Sequence, residues 1–215
     1  MTTSLLTCAD LLNNYPKAWQ DATVHPFLQQ CQAGTIQSAQ FNTWLVQDFL
    51  FATTFTRMVA RLLSIAPIEH FDTLLSGLGA MKDELLWFKK KANERSLDLS
   101  ASRQPTCERY CNFMQGLASE SYAVQATAFW AIELAYNQGW QGHSPMPAPY
   151  EEFADRWGNQ GFTAYVKVLE KQANSALALA SKDEKKAAER AFLEVAQLEK
   201  DFWQMAFEVG DIIVS

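Results

Sequence analysis

The chain has 215 residues, 48% of them hydrophobic and 20% charged, which is enough for one domain with a sizeable core. Eighteen basic against 24 acidic side chains leave a net charge of −6, which argues against a nucleic-acid or anionic-membrane partner. Only 3 scattered His speak against a multi-histidine metal centre, so neither a metal nor a cofactor is expected.

With 9 Gly and 7 Pro, helix breakers are few, and the apolar periodicities are long. Ser4 to about Asp21 reads as a first helix. His25-Pro26 places Pro at the start of a short helix that ends at Gly34. Ser38 is an N-cap candidate for a long helix to Ala66, and Pro67 starts another to about Glu94. Ser96 to Gln104 is a polar loop. Pro105 opens a helix through Leu117, and Ser121 opens another through Trp140. The Pro-rich stretch Gly142 to Pro149 is not helical. A short helix at Tyr150 to Trp157 and a longer one at Gly161 to Ala180 follow. Ser181 to Glu184 is a capping box before the last helix. Eight or nine helices and no convincing strand predict a single all-α domain over residues 1–215.

Met1 to Asp10 lacks the basic stretch of a signal peptide, and no run reaches the ~18–20 apolar residues of a membrane span. Cys8, Cys31, Cys107 and Cys111 form no Cys-x-x-Cys pair, and a chain of this size needs no disulfide staple. A cytoplasmic protein with reduced thiols, free of membrane and nucleic-acid partners, is the expectation.

Carboxylates where hydrophobes should be carry the functional signal. On a 3.6-residue period, Phe41, Trp44, Leu45, Phe51, Phe55, Val59 and Leu62 make one stripe, and Asp48 stands within it. Glu133 stands among Phe129, Trp130, Tyr136, Asn137 and Trp140. In the last helix Glu199 falls between Val195 and Phe202. One acidic residue on a stripe is commonly a satisfied boundary group. Three, each on a separate aromatic-rich helix, favour a pocket instead. Burying a carboxylate costs several kcal/mol unless it is paired, protonated or near water. Aromatic walls stack a flat ring and carboxylates accept from its amino groups, so a small nitrogenous heterocycle is the ligand class that fits.

Several short pieces then stand in a telling order: His25-Pro-Phe27, Gly34-Thr35, Phe41 with Gln47-Asp48-Phe49, Tyr110, Trp130-Ala-Ile-Glu133, and Glu199-Lys-Asp-Phe202-Trp203. In these pieces, from about Trp19 to Phe207, the chain resembles the TenA (thiaminase II) family. The resemblance implies a haem-oxygenase-like helical bundle and a homo-oligomer, dimer or tetramer. It implies that Asp48 holds an aminopyrimidine, that Glu199 is the catalytic acid, and that Phe51, Tyr110, Trp157 and Phe202 line the ring site.

One departure matters most. Members with thiaminase activity carry a nucleophilic Cys where this chain has Ala131. The segments Trp130 to Glu133 and Asp83-Glu84 to Lys89 look like the cysteine-less, glutamate-bearing branch. That branch is associated with salvage of damaged thiamin pyrimidine. Its implied reaction converts 4-amino-5-aminomethyl-2-methylpyrimidine, or its N-formyl form, to the hydroxymethylpyrimidine, with Glu199 and Glu133 as catalytic residues. A Cys–Glu pair attacks a ring covalently, whereas two glutamates share a proton and a water.

Other residues are read as structural. Cys107 and Cys111 lie one turn apart around Tyr110 with only Arg109 as a basic neighbour in sequence, and they are taken as packing. His25 is read as a helix-start residue, and His70 and His143 as surface residues. Lys89 to Lys91 and Lys182 to Arg190 are read as solvated faces, and Glu84 is either a supporting partner or a surface group. Two other functions stay in play: a non-catalytic pyrimidine-binding or regulatory protein, and an oxidase on the same fold.

Overall fold

The computed structural model describes residues 6–209. Among them are ten α-helices, two short 3-10 turns and no strand. In chain order the helices are α1 (Cys8–Asn14), α2 (Pro16–Thr23), α3 (Pro26–Ala33), α4 (Ser38–Ile65) and α5 (Phe71–Glu94), then α6 (Pro105–Gly116), α7 (Tyr122–Gly142), α8 (Glu151–Trp157), α9 (Gln160–Leu179) and α10 (Lys182–Phe207).

Local chemistry sets most of the boundaries. The expected single first helix is in fact two. Pro16 lacks an N–H and pushes the residue before it out of the helical region, so Tyr15 (φ −127°, ψ 47°) separates α1 from α2. The expected start at Ser4 lies outside the described residues. A reciprocal Thr7–Asp10 capping box begins α1 at Cys8. His25 is extended, and its Nδ1 accepts from the Phe27 N–H at 3.1 Å, so it caps α3 ahead of Pro26. Gly34 ends that helix at φ +69°, a left-handed position that suits glycine.

Ser38 is not the cap expected for α4. Gln37 takes that place, with its N–H donating to Gln40 Oε1 at 3.1 Å in a capping box built from two glutamines. Pro67 starts a 3-10 turn (Ile68–His70) and only then α5. Ser121 stands at the N-cap position of α7 without a side-chain capping bond, and the Ser181–Glu184 box precedes α10 as expected, with the Ser181 N–H donating to Glu184 at 2.8 Å.

These helices gather into two compact units. One comprises the described residues up to Gly34 together with Ser119–Lys200. At its centre α7 packs on α2, α8 and α9, and its side chains are buried nearly all round, as a helix enclosed by others requires. Phe192 of α10 stacks between Trp19 of α2 (5.1 Å) and Trp130 of α7 (6.0 Å). The other unit comprises Thr35–Ala118 and the described residues from Asp201. Here α4 packs on α5 and α6, and its whole predicted stripe from Phe41 to Leu62 is buried. Trp44 stacks with Trp203 at 6.3 Å, and the Arg95 guanidinium lies 4.8 Å over Phe41.

Two surface expectations are corrected. His143 is buried, its Nδ1 lying 2.7 Å from the Gly139 carbonyl one turn back on α7. Lys91 is buried too, and its stem packs inward while its ammonium meets Glu94 at 2.7 Å. Lys89 and Lys90 remain exposed, and Glu84 is half-buried.

Candidate active site

Each of the three carboxylates singled out by its stripe is buried: Asp48 at 2% exposure, Glu133 at 8% and Glu199 at 1%. Such groups are tolerated only where partners satisfy them, which marks all three positions as built rather than incidental.

In the unit centred on α4, three of the predicted ring-site residues converge. Phe51 of α4 lies 4.8 Å from Tyr110 of α6 and 5.8 Å from Phe202 of α10, and Tyr110 meets Phe202 edge-on at 6.3 Å. Phe55 stacks on Phe51 at 5.6 Å. Asp48 stands about one turn before Phe51 on the same helix, so the carboxylate and this aromatic cluster share one stripe.

The cysteines of α6 sit in that stripe's surroundings, and their neighbour is not the one expected from sequence. Arg109 reaches Asp201 at 2.9 Å. Arg103 is the cation that acts on the thiols; it also donates to Thr54 Oγ1 at 2.9 Å and meets Glu108 at 3.1 Å. Cys107 lies 3.5 Å from the Gln47 carbonyl. A hydrogen bond with Cys111 raises the Cys107 thiol, as do burial and the nearby charge of Asp48. The same hydrogen bond lowers Cys111, with Thr54 and Arg103 pulling the same way against burial.

In the unit centred on α7, Trp157 ends α8 and lodges against two rings of α7, Tyr136 at 5.8 Å and Trp140 at 5.5 Å. The buried Asn137 holds it from below: Nδ2 donates to the Trp157 carbonyl at 2.8 Å, while Oδ1 accepts from Thr163 Oγ1 of α9 at 3.1 Å. Gln141 adds a bond to the Gly158 carbonyl at 3.3 Å. Gly158 permits this approach, because a Cβ there would lie 2.7 Å from the Ala154 carbonyl and 3.0 Å from the Gln141 nitrogen. Ala131, the position without a thiol, is fully buried on α7. Tyr165 of α9 escaped the sequence reading. Its hydroxyl is buried without a hydrogen-bond partner, and Glu133 is near enough for its charge to raise the phenol beyond what burial does.

Among the described residues, no group of three or more His, Cys, Asp or Glu side chains is placed to hold a metal ion. No helix among them is long and apolar enough to cross a membrane.

The architecture is that of the all-helical, haem-oxygenase-like proteins. A TenA homologue from Pyrococcus furiosus superposes with a TM-score of 0.88 at 30% identity, covering 93% of this chain and 98% of that one. A second TenA homologue, from P. horikoshii, superposes at 0.82 with 22% identity over 94% and 98% of the two chains. Residues 12–209 match the TENA/THI-4/PQQC family, and the chain belongs to it. A Glycine max relative named a probable bifunctional TENA-E protein is 36% identical over 207 residues, 91% of this chain and 90% of that one. An aminopyrimidine aminohydrolase of Helicobacter pylori is 22% identical over 212 residues, covering 92% and 97%.

Proposed function

We propose that this protein is an aminopyrimidine aminohydrolase of thiamin-pyrimidine salvage, from the cysteine-less, glutamate-bearing branch of its family. The observation that carries the reading is the burial of Asp48, Glu133 and Glu199 on aromatic-rich helices; the family resemblance adds that Ala131 stands where a thiaminase would carry its nucleophile. The names of the Glycine max and Helicobacter pylori relatives support the same assignment.

In this reading Asp48 anchors the amidine edge of the pyrimidine by charge-assisted hydrogen bonds, and Phe51, Tyr110, Trp157 and Phe202 wall the ring. Glu133 takes a proton from water as the oxygen attacks the exocyclic methylene carbon. The carbon–nitrogen bond breaks, its electron pair stays on nitrogen, and Glu199 protonates the leaving amine. No cysteine takes part and no cofactor is used. The protein acts in the cytoplasm as a homo-oligomer, without a nucleic-acid or membrane partner.

The test is direct. The purified protein is incubated separately with the aminomethylpyrimidine, its N-formyl form and intact thiamin, and ammonia, formate and thiazole are followed. Ammonia release from the first, with no thiazole from the third, is the expected result. Tight pyrimidine binding with no turnover of any of the three would make the protein a binding or regulatory member instead.

A further inference from the structure

Helix α9 begins beside the end of α7, where Thr163 bonds to Asn137 and Gln141 Nε2 reaches the Thr163 hydroxyl at 3.4 Å. Two residues further along α9, on the helix that packs along α7, is Tyr165, within reach of the charge of Glu133, which stands one turn before Asn137 on α7. Its ring touches Phe162 at 6.0 Å, and its hydroxyl oxygen is shut away from solvent with no hydrogen-bond partner.

An unmade hydrogen bond at a buried hydroxyl carries a cost in stability. Phenylalanine fills the same shape without that cost, so packing alone gives no reason for a tyrosine here. Burial and the charge of Glu133 both raise the phenol, which keeps it protonated, and therefore a donor, at neutral pH. A buried donor without an acceptor, within reach of a carboxylate's charge but not bonded to it, suits a small oxygen-bearing species held between them.

We propose that the Tyr165 hydroxyl donates to the oxygen of the attacking water and aims it from Glu133 toward the exocyclic carbon. The proposal rests on the reading of Glu133 as the base. Water gives one proton to Glu133 and forms the carbon–oxygen bond, the amine leaves with a proton from Glu199, and Tyr165 keeps its own proton throughout. Tyr165 thus serves to position the nucleophile and takes no part in holding the pyrimidine.

Tyr165→Phe separates these roles. In the full-length protein, kcat for the aminomethylpyrimidine should fall at least tenfold while KM stays within about twofold. The melting temperature should not drop, and affinity for the hydroxymethylpyrimidine product, measured by calorimetry, should hold. Combined with Glu133→Gln, the substitution should cost no further rate, because both act through the same water. An active wild type with an equally active Tyr165→Phe would overturn this inference alone, as would a tenfold loss of product affinity or a multiplicative double variant. A wild type inactive toward every pyrimidine would overturn the aminohydrolase reading, and this one with it.

Discussion

Asn137 donates from Nδ2 to the backbone carbonyl of Trp157 at 2.8 Å, and this bond joins the central helix α7 to the end of α8. Both partners are buried, so the amide has no water to fall back on. Through Thr163 the same side chain also anchors the first turn of α9. Asn137→Ala takes this donor from the Trp157 carbonyl, while the Thr163 hydroxyl keeps its bond to the Asn159 carbonyl at 3.1 Å, and should cost about 1–3 kcal/mol, or roughly 2–12 °C in melting temperature by calorimetry. If Trp157 walls the pyrimidine, KM should rise more than kcat falls. Unchanged stability would refute the clamp.

Gly158→Ala tests the same junction from its backbone. The backbone there is unstrained (φ −90°), so the penalty is purely steric: the new Cβ meets the Ala154 carbonyl at 2.7 Å and the Gln141 backbone at 3.0 Å. Neither contact is the flexible end of a side chain. A loss of about 1–3 kcal/mol in urea denaturation is expected. An unchanged midpoint would mean that α8 can back away from α7.

Glu199→Gln removes the proposed acid while keeping size and hydrogen-bonding capacity. Turnover should fall by about 10²–10⁴, and calorimetry should still register hydroxymethylpyrimidine binding. Asp48→Asn should act differently, weakening pyrimidine binding first. Cys111→Ala should keep turnover within a few-fold despite its lowered thiol pKa. Loss of activity in that variant would return a thiol to the mechanism.

Alkaline pH should weaken the fold through two other thiols. Burial raises Cys8 and Cys31, with the charge of Glu170 adding to the effect at Cys8. A raised folded-state pKa means stability is fully present below the unfolded value, about 8.5, and is lost as pH climbs above it. Each thiol steepens the decline by about 1.4 kcal/mol per pH unit, because the unfolded chain releases a proton that the folded one retains. Denaturation midpoints, taken under reducing conditions, should hold from pH 7 to 8.5 and then fall. The Cys8→Ala/Cys31→Ala double variant should start lower and fall less steeply.

Much of this protein is written in its periodicity. A stripe of Phe, Trp and Leu at helical spacing states which face of α4 or α10 is buried, while α7 is enclosed nearly all round, and an acidic residue among such side chains is legible as a buried carboxylate without any structure. His25-Pro26 and the Ser181–Glu184 box act within a few residues of themselves, so they too are legible directly. The division at Pro16 is equally local, but the longer apolar pattern around it runs through the break and masks it.

What periodicity does not say is which residue of another helix meets a given face. Asn137 finds Trp157 across 20 residues and Thr163 across 26. Arg103 rather than Arg109 acts on the α6 thiols, and Lys91 and His143 are buried although their residue types favour the surface. The partnerless hydroxyl of Tyr165 within reach of the charge of Glu133 likewise exists only once α9 lies along α7. The sequence by itself determined the helical class, the aromatic interior and the three buried carboxylates. Only the tertiary structure decided the pairings between helices, because they depend on how packed helices are registered and not on the pattern along any one of them.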